Sequence, residues 1–287
     1  MLSPQVIEDL IARSQPRRRL PGLRLPLYVL GGIVIGVALA QPGSFGLPAA
    51  AGDLAPLVLV VIVLVLGRAE LGRHLHQKRD WSRAYEAVLL EEWSAASRRL
   101  EALLSRPVSN RVLRAQGLLG LAAVTDHYGR YDSSRLIYQA LLAEETVQPV
   151  QRHAAAVGLA AAMLRNDELT DAVSLIDRLA RSADDAPLPW KAQIELLRLF
   201  REVVMGQYDD ILEHTEQRRH LFRDGLSTRS GYGYALMALG HHRRGRSDSA
   251  TRLWHDATVL VPVSKLVHRF PALEELTRRY PARETPL

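Results

Sequence analysis

The chain of 287 residues contains no cysteine, which excludes disulfides, thiolate nucleophiles and cysteine-based metal sites. It also lacks the short motifs that carry chemistry. There is no H-E-x-x-H, no G-x-x-x-x-G-K-[ST], no G-x-S-x-G and no EF-hand loop. The stretch "GYGYAL" (Gly231–Leu236) lacks a third glycine and a preceding strand, and reads as a helix start. His74 and His76, two apart on a helix, point to different sides, and His241 and His242 have no evident third ligand. The carboxylate pairs Glu91–Glu92, Glu144–Glu145 and Asp209–Asp210 read as solvated helix charge. No metal, cofactor or catalysis is expected.

A charge excess on the folded body is also missing. Residues 1–79 hold nine Lys/Arg against four acids, and the remaining residues hold 28 against 27. A nucleic-acid binder should carry its positive excess where it can face phosphates. Here the excess flanks the apolar N-terminal region, which argues for a membrane surface and against DNA or RNA.

Charge is absent altogether from two runs, "LPLYVLGGIVIGVALA" (Leu25–Ala40) and "LAPLVLVVIVLVLG" (Leu54–Gly67). Each alone falls short of the roughly 20 residues that cross a bilayer core. Extended to about 25–43 and 47–67, they form a transmembrane hairpin over 25–67. Its flanks decide the reading: "PRRRLPGLR" precedes it, "RAELGRHLHQKR" follows it, and "QPGSFGLPAAAGD" between the runs has no Lys or Arg. That asymmetry places both ends on the cytoplasmic side of an inner or plasma membrane. Gly32 and Gly36 form a small-xxx-small pair for close helix packing. Two alternatives stay open: cleavage of the first run after Ala40, in "ALAQ", and a buried helical hairpin. A basic N-terminal segment (1–24) and a basic juxtamembrane linker (68–79) frame the hairpin.

Strand-like alternation is missing from the body, which reads as amphipathic helix with an internal repeat. Ala96, Ser134, Ala172, Ile211 and Ala250 recur 38 or 39 residues apart. Twelve residues before these anchors lie Ala84, Ala122, Ala160, Leu199 and Ala238; four after them lie Leu100, Tyr138, Ile176, Thr215 and Trp254. Five before, a turn former appears in four of five units: Gly129, Asp167, Gly206 and Gly245. Small residues in both helices allow tight antiparallel packing, the turn former ends the first helix, and stacking of the units buries the apolar stripes. The fourth unit, with Thr215 and Arg218, departs furthest from the pattern.

The unit "YALMALGHHRRGRSDSATRLWHDATVLVP" (Tyr234–Pro262) resembles the tetratricopeptide repeat family, with Ala238, Gly245, Ala250, Trp254, Ala257 and Pro262 at the family's intervals. "LLGLAAVTDHYGRYDSSRLIYQALL" resembles it nearly as well. The longer period, against the family's 34 residues, leaves a generic or HEAT-like helical solenoid as the alternative, the extra residues lengthening either helices or loops. The expected fold is therefore all-α: a transmembrane hairpin, then a TPR-like solenoid of about five helix pairs (80–262), then a C-terminal capping helix and tail (263–287).

The resemblance implies a groove lined by the first helix of each pair that holds a protein or peptide partner. By interval its residues are Gln116, Leu119 and His127; Val157, Leu164 and Arg165; and Tyr232, Leu239, His242 and Arg243. His127, Arg165 and Arg243 fall in last turns along one rim, where they suit an acidic segment or a C-terminal carboxylate, although basic residues also favour helix C-termini through the macrodipole. The expected role is a membrane-anchored adaptor without catalysis, its basic flanks on lipid headgroups; the alternative is a structural subunit of a larger membrane complex held through its hairpin.

Overall fold

The computed structural model describes residues 3–16, 68, 72 and 75–280. The expected hairpin over 25–67, with Gly32, Gly36 and the cleavage alternative after Ala40, lies outside the described residues. Among the described residues the protein is all-helical, with no strand, and no helix is long and apolar enough to cross a membrane.

The described residues fall into two compact units, one within Glu8–Leu121 and the other within Ala122–Leu287 together with Met1–Ile7. The helices are α1 (Pro4–Arg13), α2 (residues 75–89), α3 (Trp93–Leu104), α4 (Arg111–His127), α5 (Tyr131–Ala143), α6 (Pro149–Arg165) and α7 (Leu169–Arg181). They continue with α8 (Leu188–Met205), α9 (Tyr208–Glu213), α10 (Thr215–Leu226), α11 (Ser230–Arg243), α12 (Ser247–Leu260), α13 (Val263–Arg269) and α14 (Glu274–Arg279).

The sequence repeat maps onto five helix–turn–helix pairs, and its key positions share one backbone geometry. Each second helix starts three residues before the anchor, at Trp93, Tyr131, Leu169, Tyr208 and Ser247. Five residues before the anchor, Glu91, Gly129, Asp167, Gly206 and Gly245 all adopt left-handed φ between 58° and 71°. The next residue's N–H reaches five residues back, as in Glu92 to the Ala87 carbonyl (2.8 Å), Arg130 to Thr125 (2.9 Å) and Glu168 to Met163 (3.0 Å). Gln207 to Glu202 (2.8 Å) and Arg246 to His241 (2.9 Å) complete the set. This is the Schellman closure of a helix C-terminus. Glu91 is the turn residue that no sequence signal marked, because glutamate is not a usual left-handed residue.

The pairs close over small side chains. Ala84, Ala122, Ala160, Leu199 and Ala238, and the anchors Ala96, Ser134, Ala172, Ile211 and Ala250, are all 0 % exposed. Tyr138, four residues past its anchor, lies over Gly158 of α6, where a Cβ would come within 2.3 Å of its ring. The extra length of the period is partly helical: α4 and α6 have 17 residues and α8 has 18. Pro149 opens α6 and Pro189 is the second residue of α8, both first-turn positions that need no donor.

The fourth pair is built differently. Its second helix breaks at His214 into α9 and α10. Arg218 stands where other units have Leu103, Leu141, Leu179 or Ala257, yet it is buried. In the Glu8–Leu121 unit another buried arginine, Arg114, fixes the end of α1, donating from Nε to Ser14 Oγ (3.0 Å) and from Nη2 to the Ile11 carbonyl (3.0 Å).

Beyond α12 the chain runs through α13, a 3-10 turn (Pro271–Leu273) and α14. Leu266, Phe270, Leu273 and Leu276 join Leu236, Leu239, Leu253 and Trp254 in one apolar core.

The turn makes a specific demand on backbone. Nothing lies within 4 Å of a Cβ added at Gly129 or Gly245, so a methyl there meets no neighbour. Gly129→Ala and Gly245→Ala should each still lose roughly 1–2 kcal/mol, from the left-handed backbone alone. Chemical denaturation read by circular dichroism tests this; unchanged midpoints would show that the turn does not require this conformation.

Candidate functional site

The last turns of the first helices meet the chain's own C-terminal segment. His268 of α13 lies with Nε2 2.9 Å from the His127 carbonyl, and the two rings are 4.5 Å apart. Arg243 pairs with Glu275 of α14 at 2.6 Å, and His242 Nδ1 lies 3.1 Å from the Tyr280 hydroxyl. Trp254 Nε1 donates to the Tyr280 carbonyl (2.9 Å), fixing the end of the segment.

Arg165 is held differently. Its guanidinium lies over three rings, those of Tyr131 (5.3 Å), Phe200 (5.4 Å) and Phe270 (5.9 Å). Arg269 lies over Tyr232 (5.3 Å) and the same Phe270 (5.9 Å). Such stacking uses the guanidinium face and leaves its in-plane N–H edge for an acceptor. Among the described residues neither arginine has a carboxylate or carbonyl at hydrogen-bonding distance.

Beside them lies a partly buried acid. Asp126 Oδ2 accepts from the Tyr138 hydroxyl at 3.1 Å. Burial pushes the Asp126 carboxyl up from its ordinary pKa, opposed by Ser134, by the charge on Arg165, by Tyr138 and by Arg269. Burial also pushes the Tyr138 phenol well up, and the neighbouring Asp126 charge adds to this. Arg165 is lowered by burial first and by the like charge of Arg269 second. Arg165 is thus partly buried beside a second cation, its edge without an acceptor among the described residues, a setting that suits an anionic group.

The residues expected to line a groove therefore divide. Arg165 and Tyr232 belong to this aromatic–arginine cluster, while His127, His242 and Arg243 are engaged by the C-terminal segment. Leu164 and Leu239 are buried, at 2 % and 1 % exposure, and serve the helix-packing core. Val157 is half-buried on α6. Gln116 and Leu119, also half-buried, fall in the Glu8–Leu121 unit. Arg269, Phe200, Phe270 and the Asp126–Tyr138 pair were missed by interval reasoning. The one local signal was "HRFP" (His268–Pro271), an arginine beside an aromatic residue just before a helix break.

No family model, curated protein or solved structure matches this chain.

A second polar cluster lies in the fourth pair. Arg218 grips Glu202 through two bonds of 2.7 Å and donates from Nε to Glu195 Oε1 at 2.8 Å. Burial opposes its charge, but hydrogen bonding to Glu202 and the two carboxylate charges raise its pKa overall. The cluster borders a cleft of about 410 Å³ that also takes in Arg198, Arg201 and His214. A fully paired arginine of this kind organises local packing: removing one partner of a buried pair costs about 3–5 kcal/mol, because the other charge is stranded. Among the described residues no group of three His, Asp or Glu could hold a metal ion.

Near this cluster His241 is buried, with Nε2 2.9 Å from Thr215 Oγ1. Burial lowers its pKa, and the charges of Arg246 and Arg252 lower it further. His153, stacked on Trp190 at 4.2 Å, is also lowered, mainly by burial. Both histidines favour the neutral form in the folded state. Well above pH 6.5 both rings are neutral in the folded and the unfolded chain. As pH falls below that value the unfolded chain takes up protons that the folded chain refuses, so stability drops until the lowered folded pKa is reached. His241→Gln should flatten this acid-side slope by up to about 1.4 kcal/mol per pH unit. Denaturation midpoints measured across mildly acidic pH check it, and an unchanged slope would show that His241 is protonated alike in both states.

Proposed function

We propose that the protein is a membrane-anchored, tetratricopeptide-like adaptor that holds a protein or peptide partner at the cytoplasmic face. The five-pair helical repeat supports this reading, because stacked helix pairs present extended surfaces for partners. The distribution of charge supports the anchor: basic residues flank the two apolar runs and are absent between them. The observation that carries the reading is the pair of guanidiniums, Arg165 and Arg269, laid on Tyr131, Phe200, Tyr232 and Phe270. Their free edges fit an acidic side chain or a chain terminus, recognised through charge-assisted hydrogen bonds.

The mechanism is local concentration. A partner bound to a tethered domain is confined near the membrane plane, which raises its effective concentration there without any further contact.

In-cell crosslinking followed by purification tests the proposal on three full-length proteins. One is unaltered, one carries Arg165→Gln with Arg269→Gln, and one has Leu25–Gly67 replaced by an unrelated two-helix anchor. The adaptor reading expects the partner yield to fall at least about tenfold in the arginine variant, as for losing one charged hydrogen bond. It expects the yield to survive the anchor exchange. The reverse pattern, with partners kept by the arginine variant and lost with the exchanged anchor, would make the protein an intramembrane subunit instead. Thermal melting of both variants separates a lost contact from a lost fold.

A further inference from the structure

Helix α2 presents two faces of different character. Ala84 and Ala87 are fully buried, and Gln77, Asp80, Trp81 and Val88 are half-buried on the same side. Gln77 Nε2 donates to the Pro107 carbonyl (3.1 Å), and Asp80 accepts from Arg106 (2.5 Å), so this side is bound to the fold.

At 100° per residue the opposite face carries Leu75, Lys78, Arg79, Ser82, Glu86 and Leu89, with Tyr85 and Arg83 at its two edges and Leu90 just beyond the last turn. All of these are exposed, including large apolar side chains: Leu75 by 51 %, Tyr85 by 47 %, Leu89 by 63 % and Leu90 by 63 %. Tyr85 stacks on Trp81 with centroids 5.1 Å apart and planes 11° from parallel. Three basic side chains, Lys78, Arg79 and Arg83, stand against the single acid Glu86.

We infer that this face lies on an anionic lipid surface. The inference rests on the membrane reading of 25–67, which it deepens by naming a lipid-contacting element inside the folded unit. Apolar side chains interleaved with Lys and Arg, and a Trp–Tyr pair at one edge, match the interfacial zone, where apolar groups enter the headgroup boundary while cationic heads remain among phosphates. The chain supplies the position too. Only seven residues separate Gly67, the last residue of the second apolar run, from Leu75, where the continuously described part of the helix begins, and Arg68 and Arg73 lie among them. A helix emerging so soon from a bilayer-spanning run meets the headgroup layer before anything else. A protein partner would have to match an uncompensated basic and apolar strip, whereas phosphatidylglycerol or phosphatidylserine headgroups match it directly.

The absence of native cysteine makes the test clean. Full-length protein carrying one spin label at Leu75→Cys, Ser82→Cys or Leu89→Cys is placed in nanodiscs of phosphatidylcholine with phosphatidylglycerol. Power saturation with oxygen and with a water-soluble nickel chelate then reports the surroundings of each label. A label at Val60→Cys reports on the hairpin itself, and one at Thr170→Cys gives the level of an exposed position on another helix. The proposal expects nickel accessibility at 75, 82 and 89 at least about threefold below that at 170, with oxygen accessibility above it, as for a helix at the headgroup boundary. Lys78→Glu with Arg79→Glu and Arg83→Glu should restore nickel accessibility, as should nanodiscs of phosphatidylcholine alone.

Nickel accessibility equal to that at 170, with position 60 sheltered in lipid, would overturn the proposal and leave the hairpin intact. Shelter from both reagents at 75, 82 and 89 would also overturn it, by showing that protein covers the face. Nickel access at position 60 would overturn the hairpin reading and this inference together.

Discussion

Everything in the repeat body depends on one backbone event, a single left-handed residue closed by an N–H that reaches five residues back. It occurs at all five turns with three different side chains: Glu91, Asp167 and the glycines. Side-chain identity therefore does not create the geometry; it only sets its energetic cost. Because each turn has the same shape, the residue twelve before each anchor and the anchor itself are buried completely in every pair. The interior around those positions then admits Ala or Ser in most units, and larger Leu199 and Ile211 only in the pair whose second helix breaks.

Charge inside this fold is concentrated at departures from the repeat. Arg114 secures α1, Arg218 fills an apolar position in the fourth pair, and Arg165 and Arg269 share the ring of Phe270. The first two have their donors answered by carboxylates, a hydroxyl or a carbonyl. The last pair has ring faces instead of acceptors, and a neighbouring Asp126 already engaged by Tyr138. That contrast separates arginines whose donors meet protein acceptors from arginines held on ring faces.

Much of the helical repeat could be read from small residues alone, since Ala84, Ala122, Ala160 and Ala238 recur where two helices must approach closely. The turn at Glu91 could not, because its conformation is imposed by the pair around it and not by any preference of glutamate. Intervals picked out Arg165 and Tyr232, which the fold brings into one aromatic–arginine cluster. They also assigned Leu164 and Leu239 to a surface, because spacing by whole turns does not separate a lining residue from its buried neighbour one position away. The interval pattern puts Arg243 on the rim, and the fold pairs it there with Glu275. Contacts of this sort, such as His268 with His127 across 141 residues, are tertiary facts that no local pattern encodes.

That same long-range contact bears on how the helix pairs fold. A solenoid whose units touch only neighbours can fray from either end and fold piecemeal. Here the segment of α13 and α14 returns to His127, Arg165, Tyr232 and Arg243, joining itself to first helices far earlier in sequence. Late-formed contacts of high sequence separation slow folding, because loop-closure entropy is lost before they reward it. They also couple distant units into one cooperative transition. Until that later segment packs, the rings and guanidiniums it covers on α4, α6, α8 and α11 lack these contacts.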